Sequence, residues 1–464
     1  MEFNKEIFEK SIDIVIFGAT GDLAHRKLFP SLYNLYTDSS FKDKFNIIAL
    51  GRIDSSNSDF TSRFNDTIPQ KKERDDFYNR IKYFKCDFTK KSELIRLKVE
   101  LDKVCNSRIF YLALPPAIYN ETISSLIDTG LNIPCKEHST FTRIILEKPF
   151  GHNLESSIEL NKTILSGFSE KQIFRIDHYL GKEPVQNIFS FRFANNIFEN
   201  IWNKDYIDNI QIKVLEDMGV EDRGAFYDAN GALIDVFQNH ILQILSILTM
   251  EKPHEFKEEY IREEKNNILK SIIYESSLKA QYKGYKEENN VSSESKRETF
   301  IALKLKIQND RWSSIPIYVQ TGKYLNEKRT EISVIFKKNG SRLFKGSNKP
   351  NILKFLIQPD LGIELNLLGK IPSVSDYILS DIDMLYKYSD YFGELKSEYE
   401  KLLIDCILGN QINFTRSDEI ENAWRLVDKI ENDIKNISPI IYEPRSKGPS
   451  NLDEFIKKDS RNWE

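Results

Sequence analysis

The sequence has little of what a disulfide-stabilised or metal-binding protein needs. Its 464 residues include only four cysteines and six histidines, and no two cysteines form a CxxC pair. The cysteines lie far apart, at Cys86, Cys105, Cys135 and Cys406, so we expect no zinc site, no redox motif and no bound metal. Few, scattered cysteines are typical of a reducing compartment.

An excess of charge of one sign is also missing. Lysine and arginine number 66 against 70 acidic residues, and we therefore expect no nucleic-acid partner. The most apolar long segment, residues 232–250, is interrupted by polar side chains, so we expect no membrane span. Residues 1–10 are charged and lack the apolar region of a signal peptide. These features predict a cytoplasmic protein.

Short apolar runs alternate with amphipathic segments in the first part of the chain. The runs are rich in Ile, Val, Phe and Leu, as strands buried on both faces should be. This alternation predicts βαβ units and a Rossmann-type doubly wound parallel sheet in residues 1–177. The predicted strands cover residues 12–18, 45–52, 81–88, 108–114, 143–149 and 172–177.

The pattern changes in the second part of the chain. Segments such as 299–308 and 362–369 alternate apolar and polar residues, which is typical of antiparallel strands with one polar face. We therefore predict a larger α+β domain, residues 178–464, with a big, mostly antiparallel sheet. Helices are predicted near 231–250, 256–275 and 394–409. The last twenty residues are polar, and we expect them to be only partly ordered.

A turn that contains two glycines follows the first predicted strand. Residues 12–28 read IDIVIFGATGDLAHRKL, and a helical pattern begins near Asp22. Gly18 allows a tight turn, and Gly21 lets the backbone approach a pyrophosphate at the helix N-terminus, where Thr20 can add a hydroxyl. The pattern is GxxGxxA rather than GxGxxG, and a plain strand–helix turn could carry the same glycines.

The second predicted strand ends in an arginine instead of an acid. Sites for NAD place a carboxylate there for the ribose 2′-hydroxyl, whereas an arginine favours the 2′-phosphate of NADP. Arg52 occupies this position, in the segment IIALGR. Asp54 follows two residues later, so a solvated surface arginine stays open as the alternative.

Polar residues interrupt a helix that should be buried. The segment 231–253 is apolar on nearly every side, yet it contains Asp235, Gln238, Asn239 and His240. Buried polar groups without partners cost roughly 1–3 kcal/mol each, so these residues need partners or a cavity. Such a cluster favours a cavity lining, although a single buried histidine is more often satisfied within the core.

Three lysines lie at or after the ends of two predicted strands. Lys148 lies in EKPFG, beyond the carboxyl end of a strand, where doubly wound sheets bind ligands. Lys323 and Lys328, in GKYLNEKRTE, could serve an anionic substrate. Each of these lysines could equally be an ordinary surface residue.

The motifs together resemble the glucose-6-phosphate dehydrogenase family. The segments GATGDLAHRKLFPSLYNLY, LALPPAIY, EKPFG, RIDHYLGKEPVQNI, DVFQNHILQ and GKYLNEKRTE occur in the order of that family. The resemblance runs from residue 12 to about residue 447. It implies oxidation of glucose 6-phosphate at C1 to the 6-phosphogluconolactone with hydride transfer to NADP, the first step of the pentose phosphate pathway. It also implies a homodimer or homotetramer that assembles through the large sheet.

The resemblance assigns roles to individual residues. His240 matches the general base that takes the C1 hydroxyl proton, and Asp177 matches the carboxylate that orients it. The substrate-binding positions, for the phosphate and the sugar hydroxyls, are Lys148, His178, Tyr179, Lys182, Glu216, Asp235, Lys323 and Lys328. The NADP-binding positions are Gly18, Thr20, Gly21, Asp22, Leu23, Lys27, Arg52, Asp87, Phe88 and Lys148.

One departure from the family and two alternatives remain. Some family members hold a second, structural NADP, but its arginines fall here at Ser333 and Leu356, so we expect no such site. A catalytically silent paralogue, acting as a regulatory or partner subunit, would have lost His240 or Asp177, and both are present. A dehydrogenase for a neutral sugar on a similar fold would have no use for phosphate ligands such as Lys182.

Overall fold

The computed structural model describes residues 11–135, 140–338 and 343–464, which form two compact units. The first unit runs up to Gly181 and also contains residues 257–259 and 396–421. The second contains residues 182–256, 260–395 and 422–464. Residues 1–10, from which no signal peptide is predicted, lie outside the described residues.

The regular elements are numbered along the chain. The strands are β1 Ile12–Phe17, β2 Phe45–Gly51, β3 Ile81–Lys85, β4 Ser107–Leu112, β5 Thr142–Leu146, β6 Ile173–Ile176, β7 Ile207–Leu215, β8 Ile272–Tyr282, β9 Phe300–Ile307, β10 Ile317–Gly322, β11 Arg329–Phe336, β12 Lys345–Gly346, β13 Ile352–Gln358, β14 Gly362–Lys370, β15 Ile378–Lys387, β16 Phe414–Thr415 and β17 Ile440–Tyr442. The α-helices are α1 Phe29–Thr37, α2 Asn57–Ser62, α3 Lys72–Asn79, α4 Lys91–Leu101, α5 Tyr119–Asp128, α6 Leu154–Leu165, α7 Glu183–Phe193, α8 Asn196–Glu199, α9 Gly224–Ala232, α10 Leu242–Thr249, α11 Glu258–Ser271, α12 Glu398–Leu408, α13 Ser417–Ile434 and α14 Leu452–Lys457. Two π-helical segments, Ala24–Leu28 and Leu233–Ile241, precede α1 and α10.

The first unit is built on a doubly wound sheet. In the described residues its strand order is β16-β6-β5-β4-β1-β2-β3, and every neighbouring pair is parallel except β16 with β6. All six predicted strands are present, and β1 is buried along its whole length at the centre of the sheet. The predicted Rossmann-type fold is confirmed.

The first unit is completed by a segment from much later in the chain. Helix α12 contributes Leu402 and Cys406 to the core cluster around β1, and Phe414 of β16 joins the same cluster. The Phe414 ring meets Phe174 of β6 edge to face, with centroids 4.8 Å apart. The predicted domain 1–177 does not include this segment, because no local pattern reveals a contact across more than two hundred residues.

The second unit is built on a large mixed sheet. Its order in the described residues is β12-β15-β14-β13-β11-β7-β10-β9-β8-β17. Most neighbours are antiparallel, which confirms the prediction; β7 with β10, β12 with β15 and β8 with β17 are parallel. The predicted helix 256–275 is too long, because α11 ends at Ser271 and β8 begins at Ile272.

A buried helical stretch crosses the second unit. Glu221–Thr249 is the one helix of the described chain that is long and apolar enough to cross a membrane, and its residues 231–249 are all buried inside the protein. Its burial explains its composition, since a helix that is apolar all round belongs in a core as well as in a bilayer.

The C-terminal residues are ordered against the second sheet, so the prediction of partial order there is wrong. The Arg461 guanidinium donates to both carboxylate oxygens of Asp208 at 2.8 Å. The Trp463 indole donates to the Leu452 carbonyl oxygen at 3.1 Å. Polar composition was a poor guide because a bidentate ion pair and an aromatic anchor fix the tail.

Two of the four cysteines are joined in a disulfide. Cys105, before β4, bonds to Cys135, and the two Cα atoms are 5.8 Å apart. This disulfide departs from the expectation of a reducing compartment, and the thirty-residue separation of the pair gave no sequence signal. Cys86 and Cys406 are free and buried.

Candidate functional site

The turn after β1 has the geometry that a phosphate-binding turn requires. Gly18 has a φ of +75°, and a Cβ there would lie 2.3 Å from the Ala113 carbonyl oxygen, so only glycine fits. The Gly21 amide donates to the Gly18 carbonyl oxygen at 2.9 Å and closes the turn. A helix begins directly after it, with Ala24 fully buried against the sheet. The backbone amides of this turn fit a dinucleotide phosphate.

Basic side chains lie close to this turn. Arg52 is exposed at the carboxyl end of β2. The Arg63 guanidinium, after α2, donates to the Thr20 carbonyl oxygen at 3.1 Å and places a second positive charge beside the turn. Asp54, the acid that could have bound an NAD ribose, accepts a hydrogen bond from Lys85 at 2.9 Å. Asp54 is thus ion-paired, whereas Arg52 is exposed.

Three other predicted cofactor residues lie on the helix that follows the turn, two of them in ion pairs and one against the core. Asp22 pairs with Arg26 at 2.7 Å on the exposed side of the helix, and Lys27 lies 3.7 Å from the Glu398 carboxylate. Leu23 is half-buried and packs against the core cluster.

The residues after β3 are held in place by local contacts. The Asp87 carboxylate accepts the Thr89 hydroxyl at 2.8 Å, a hydrogen bond that helps hold the pKa of this carboxyl below its usual range. Phe88 is buried, with its ring edge to face against Phe17 at 5.8 Å. Phe88 therefore supports the end of β1 as well as the loop that follows β3.

Lys148 and Asp177 come directly after adjacent parallel strands. Leu146 of β5 is in register with Arg175 of β6, so the two following segments leave the same edge of the sheet side by side. Asp177 is 2% exposed, and its carboxylate accepts the Tyr179 amide at 3.0 Å. Because β5 and β6 are two and three strands from β1, the Gly18 turn lies about 10 Å and about 14 Å from these two strand ends at roughly 4.8 Å per strand.

Glu147 lies between these two residues and the core of the first unit. Its carboxylate accepts a hydrogen bond from the Tyr111 hydroxyl, and its main-chain carbonyl accepts one from Tyr119 at 3.0 Å. Burial raises the pKa of Glu147 to about 7, against the opposing effects of the Tyr111 hydrogen bond and the Lys148 charge. The sequence drew attention to Lys148 but not to this neighbour.

His178 and Tyr179 begin a short 3₁₀ turn after β6. Their rings are 4.9 Å apart, and Tyr179 is buried while His178 is half-exposed. The turn ends at Gly181, where a Cβ would lie 2.7 Å from the Glu398 carbonyl oxygen. Lys182 then belongs to the second unit and precedes the first turn of α7, which contains Pro184.

In the second unit, Glu216 and Lys323 also follow adjacent parallel strands. Leu215 of β7 is in register with Gly322 of β10, and the Lys323 ammonium forms a short ion pair with the Glu216 carboxylate. The Glu216 amide donates to Gly322 and its carbonyl accepts the Leu325 amide, which fixes the backbone of both strand ends. The structure thus brings these two predicted residues together.

The predicted polar helix adopts a π-helical conformation where its polar residues cluster. Leu233–Ile241 is π-helical, and Asp235, Gln238, Asn239 and His240 are all buried. Five residues would turn an α-helix by about 140° beyond a full turn. In a π-helix, hydrogen bonds join residues five apart, so such residues come close to one face. This conformation therefore brings Asp235 and His240 toward the same side of the helix.

The start of this helix is fixed by a buried acid. Gly231 has a φ of +65°, and a Cβ there would lie 2.2 Å from the Glu298 carboxylate. The Glu298 carboxylate accepts the Leu233 amide at 3.2 Å, a favourable place for a negative charge at a helix N-terminus.

The end of this helix is fixed by three buried side chains that donate to its last carbonyl oxygens. These bonds join Arg192 to Ile247 at 3.1 Å, Trp202 to Leu248 at 2.8 Å and Trp312 to Thr249 at 2.7 Å. Capped at both ends, the helix can hold His240 at a defined position.

The two remaining predicted residues of the second unit differ in exposure. Lys328 is exposed before β11. Asp235 is buried, and the Arg223 guanidinium lies 3.7 Å from its carboxylate. Tyr227 of α9, which the sequence did not single out, is buried beside Lys323, whose ammonium lies 5.2 Å from the centre of the Tyr227 ring.

Comparison with known proteins agrees with this arrangement over the whole chain. The family model described as the NAD binding domain of glucose-6-phosphate dehydrogenase matches residues 15–187, and the C-terminal domain model matches residues 189–464. A glucose-6-phosphate 1-dehydrogenase from Borreliella burgdorferi is 41% identical and covers 98% of both chains.

Solved structures show the same similarity. A glucose-6-phosphate dehydrogenase in complex with its substrate glucose-6-phosphate has a TM-score of 0.92 at 33% identity, covering 98% of this chain and 99% of its own. The glucose-6-phosphate 1-dehydrogenase from Mycobacterium avium has a TM-score of 0.87 at 31% identity and covers 98% of both chains.

The doubly wound sheet, its glycine turn and the polar residues beyond its strands define a nucleotide-binding oxidoreductase. Within that class, the chain belongs to the glucose-6-phosphate dehydrogenase family.

Proposed function

We propose that the protein oxidises glucose 6-phosphate at C1 to the 6-phosphoglucono-δ-lactone and transfers the hydride to NADP, the first oxidative step of the pentose phosphate pathway. The observation that carries this proposal is the near-complete match to a relative solved with glucose-6-phosphate bound. The presence of both His240 and Asp177 supports it.

The reaction requires one base and one orienting carboxylate. His240 takes the proton of the C1 hydroxyl as the C1–H bond breaks and the C1=O bond of the lactone forms. Asp177 holds the imidazole in position and stabilises the imidazolium that results. Each group is buried within its own unit, which suits this role because charges act more strongly where water is scarce.

Substrate binding divides between the phosphate and the sugar. In the proposal, His178, Tyr179 and Lys182 bind the phosphate, and Lys148 contacts both substrate and cofactor. Glu216, Asp235 and Lys323 bind the sugar hydroxyls, with Lys328 as a further basic contact. The ion pair of Glu216 with Lys323 supplies both an acceptor and a donor for vicinal hydroxyls.

The first unit would hold NADP. The backbone from Gly18 to Leu23 would bind the pyrophosphate, with the Thr20 hydroxyl, the Asp22 amide and Lys27 close by. Arg52 would bind the 2′-phosphate, and Asp87 and Phe88 would border the adenine. NADP, when bound, supplies the acceptor for the C1 hydride.

A direct assay tests the proposal. We expect the purified protein to raise the absorbance of NADPH with glucose 6-phosphate far faster than with glucose, which lacks the phosphate. His240→Asn should lower kcat by a factor of about 10²–10⁴ with little change in KM, because it removes the base and keeps the helix. The control is His254→Asn, which alters an exposed histidine of the same unit.

Two results would contradict parts of the proposal. Near-wild-type turnover of His240→Asn would remove the assignment of the base. A wild-type protein that binds glucose 6-phosphate without reducing NADP or NAD would support the alternative, a silent paralogue that acts as a regulatory or partner subunit.

We further propose a homodimer or homotetramer in the cytoplasm. The supporting feature is an apolar face of the large sheet. Ile382, Met384 and Tyr386 alternate along β15 and are 41%, 54% and 37% exposed. Their partners on β14, Leu367, Leu365 and Ile363, are only partly buried. A second copy would cover this face.

A second NADP is not part of the proposal. Ser333 and Leu356 lie on the paired strands β11 and β13, where family members with a structural NADP carry arginines. Glu331, opposite Leu356, is buried and ion-paired with Lys213, and the Glu364 carboxylate lies 3.8 Å from Lys354.

A further inference from the structure

Tyr227 is buried in the second unit without using its polar group. Its side chain is 1% exposed, and among the described residues its hydroxyl has no hydrogen-bond partner. Buried polar atoms normally find a partner, so an unused hydroxyl needs an explanation. The described contacts of Tyr227 with specific side chains are made by its ring.

The ring has a specific neighbour. The Lys323 ammonium lies 5.2 Å from the ring centre, within the range of a cation–π contact. The Lys323 side chain is only 10% exposed, and a cation is attracted to a ring more strongly where water is scarce.

The backbone of Lys323 is fixed by hydrogen bonds, and its side chain contacts two described groups. The backbone is fixed because the Lys323 amide donates to Thr299 and its carbonyl accepts the Tyr442 hydroxyl. The ammonium is then held by the Glu216 carboxylate and the Tyr227 ring. An ammonium has three N–H donors, so a donor is still available for a sugar hydroxyl.

Tyr227 itself is unsuited to act as an acid or base. Burial raises its pKa well above the usual range, and the negative charges of Asp235 and Glu216 raise it further. The phenol stays neutral at physiological pH, and its ring face keeps the electron density that attracts a cation.

We propose that Tyr227 is a positioning residue that holds Lys323 in the orientation needed to bind the sugar hydroxyls, through its ring and not its hydroxyl. The inference rests on the proposed function, because it assumes that Lys323 binds the sugar. Without the ring, the ammonium would be held by Glu216 alone and would lose its alignment. The result would be weaker sugar binding with an intact cofactor site.

Steady-state kinetics of the full-length protein test the inference. Tyr227→Phe keeps the ring, and we expect a KM for glucose 6-phosphate within about twofold of wild type. Tyr227→Leu removes the ring, and we expect that KM to rise about tenfold, with kcat changed less and KM for NADP unchanged. Tyr227→Met, which also lacks a ring but fills space with a flexible chain, replaces the Leu variant if that variant fails to fold.

A matched control separates positioning from packing. Tyr285→Leu removes a neighbouring buried ring, 6.4 Å from Tyr227, that has no lysine over it among the described residues. It should lower the melting temperature without raising KM for the sugar phosphate. A Tyr227→Phe variant as impaired as Tyr227→Leu would overturn the inference, and so would unchanged kinetics in both ringless variants. Wild-type protein that does not oxidise glucose 6-phosphate would instead overturn the proposed function on which the inference rests.

Discussion

Glu147 is a buried acid of the first unit that interacts electrostatically with two predicted site residues. Its carboxyl group is buried, and burial raises its pKa from the ordinary value of 4.5 to about 7. Lys148 follows it directly, and the negative charge of Asp177 also acts on it. Its protonation therefore changes the charge next to two predicted site residues.

Glu147 should make stability depend on pH. Below pH 4.5 the carboxyl is protonated in both the folded and the unfolded chain, so it has no effect. As pH rises from 4.5 to about 7, the unfolded chain ionises first and the folded state loses relative stability. The full loss is at most about 3 kcal/mol and is reached above pH 7.

Glu147→Gln tests this dependence, since it keeps the shape and removes the ionisation. We expect the variant to melt at a higher temperature than wild type at pH 8 and to lose most of that advantage at pH 5. The control is Glu121→Gln, an exposed position on α5 in the same unit. A difference between Glu147→Gln and wild type that is the same at both pH values would contradict the assignment.

Arg52 is the residue on which coenzyme preference should depend. Its guanidinium is exposed at the end of β2, while the nearby Asp54 is paired with Lys85. We expect Arg52→Ala to raise KM for NADP by about tenfold or more, because a charge-assisted contact to a phosphate is lost, and to change KM for NAD little.

The matched control for that measurement is Arg63→Ala, near the turn but bonded to the Thr20 carbonyl. If Arg52→Ala impaired both coenzymes equally, Arg52 would have no role specific to the 2′-phosphate.

Much of the site at this scale could be predicted from the sequence. Gly18 is predictable because only glycine tolerates its φ, and Asp235 and His240 are conspicuous because polar residues are rare in an apolar helix. Glu147 and Tyr227 could not be predicted, because their importance depends on which side chains surround them. An acid at a strand end and a tyrosine on a helix are common in any sequence.

For the helix that carries His240, the sequence predicted the position of the element but not its hydrogen-bonding pattern. The sequence predicted a buried helix over 231–250, and the structure has helical residues up to Thr249. It did not predict the π-helical segment, because the polar cluster is compatible with either hydrogen-bonding pattern. The distinction matters, since the α-helical form would turn Asp235 and His240 well away from each other.

Strands β14 and β15 form an apolar face that an assembly can explain. Along β15, Ile382, Met384 and Tyr386 point to one side, and Asp381, Asp383 and Leu385 point to the other. This alternation is what a strand at a protein interface needs. Strand β15 was not among the predicted strands, although apolar residues at every second position favour a strand.

Met384→Glu tests the assembly. We expect wild type to sediment as a multiple of its 54.3 kDa chain and the variant to sediment as a monomer, because an unpaired charge buried in an apolar interface is strongly unfavourable. Leu385→Glu, on the opposite face of the same strand, should leave the assembly intact. An oligomer that survives Met384→Glu would show that this face is not the interface.

At the scale of the whole molecule, the order of elements was more predictable than their grouping. The parallel sheet and the mixed sheet follow from periodicity in the first and second parts of the chain. Their division into units does not, because residues 396–421 return to the first unit after the second sheet is almost complete. Arg143 shows how closely that segment is held, since its guanidinium donates to the carbonyl oxygens of Cys406 and Ile407 at 2.6 and 2.7 Å.

Because residues 396–421 belong to the first unit, that unit cannot be completed until they have been synthesised. At about 5–20 residues per second, roughly 10–50 s separate the synthesis of Gly181 from that of Glu421. Throughout that interval β6 has no β16 beside it, and the core of the first unit lacks Leu402 and Phe414. A ribosome that pauses before residue 396 therefore leaves the edge of β6 and part of the apolar core of the first unit exposed to other nascent chains. A chaperone that binds these exposed surfaces would protect the chain most during this interval.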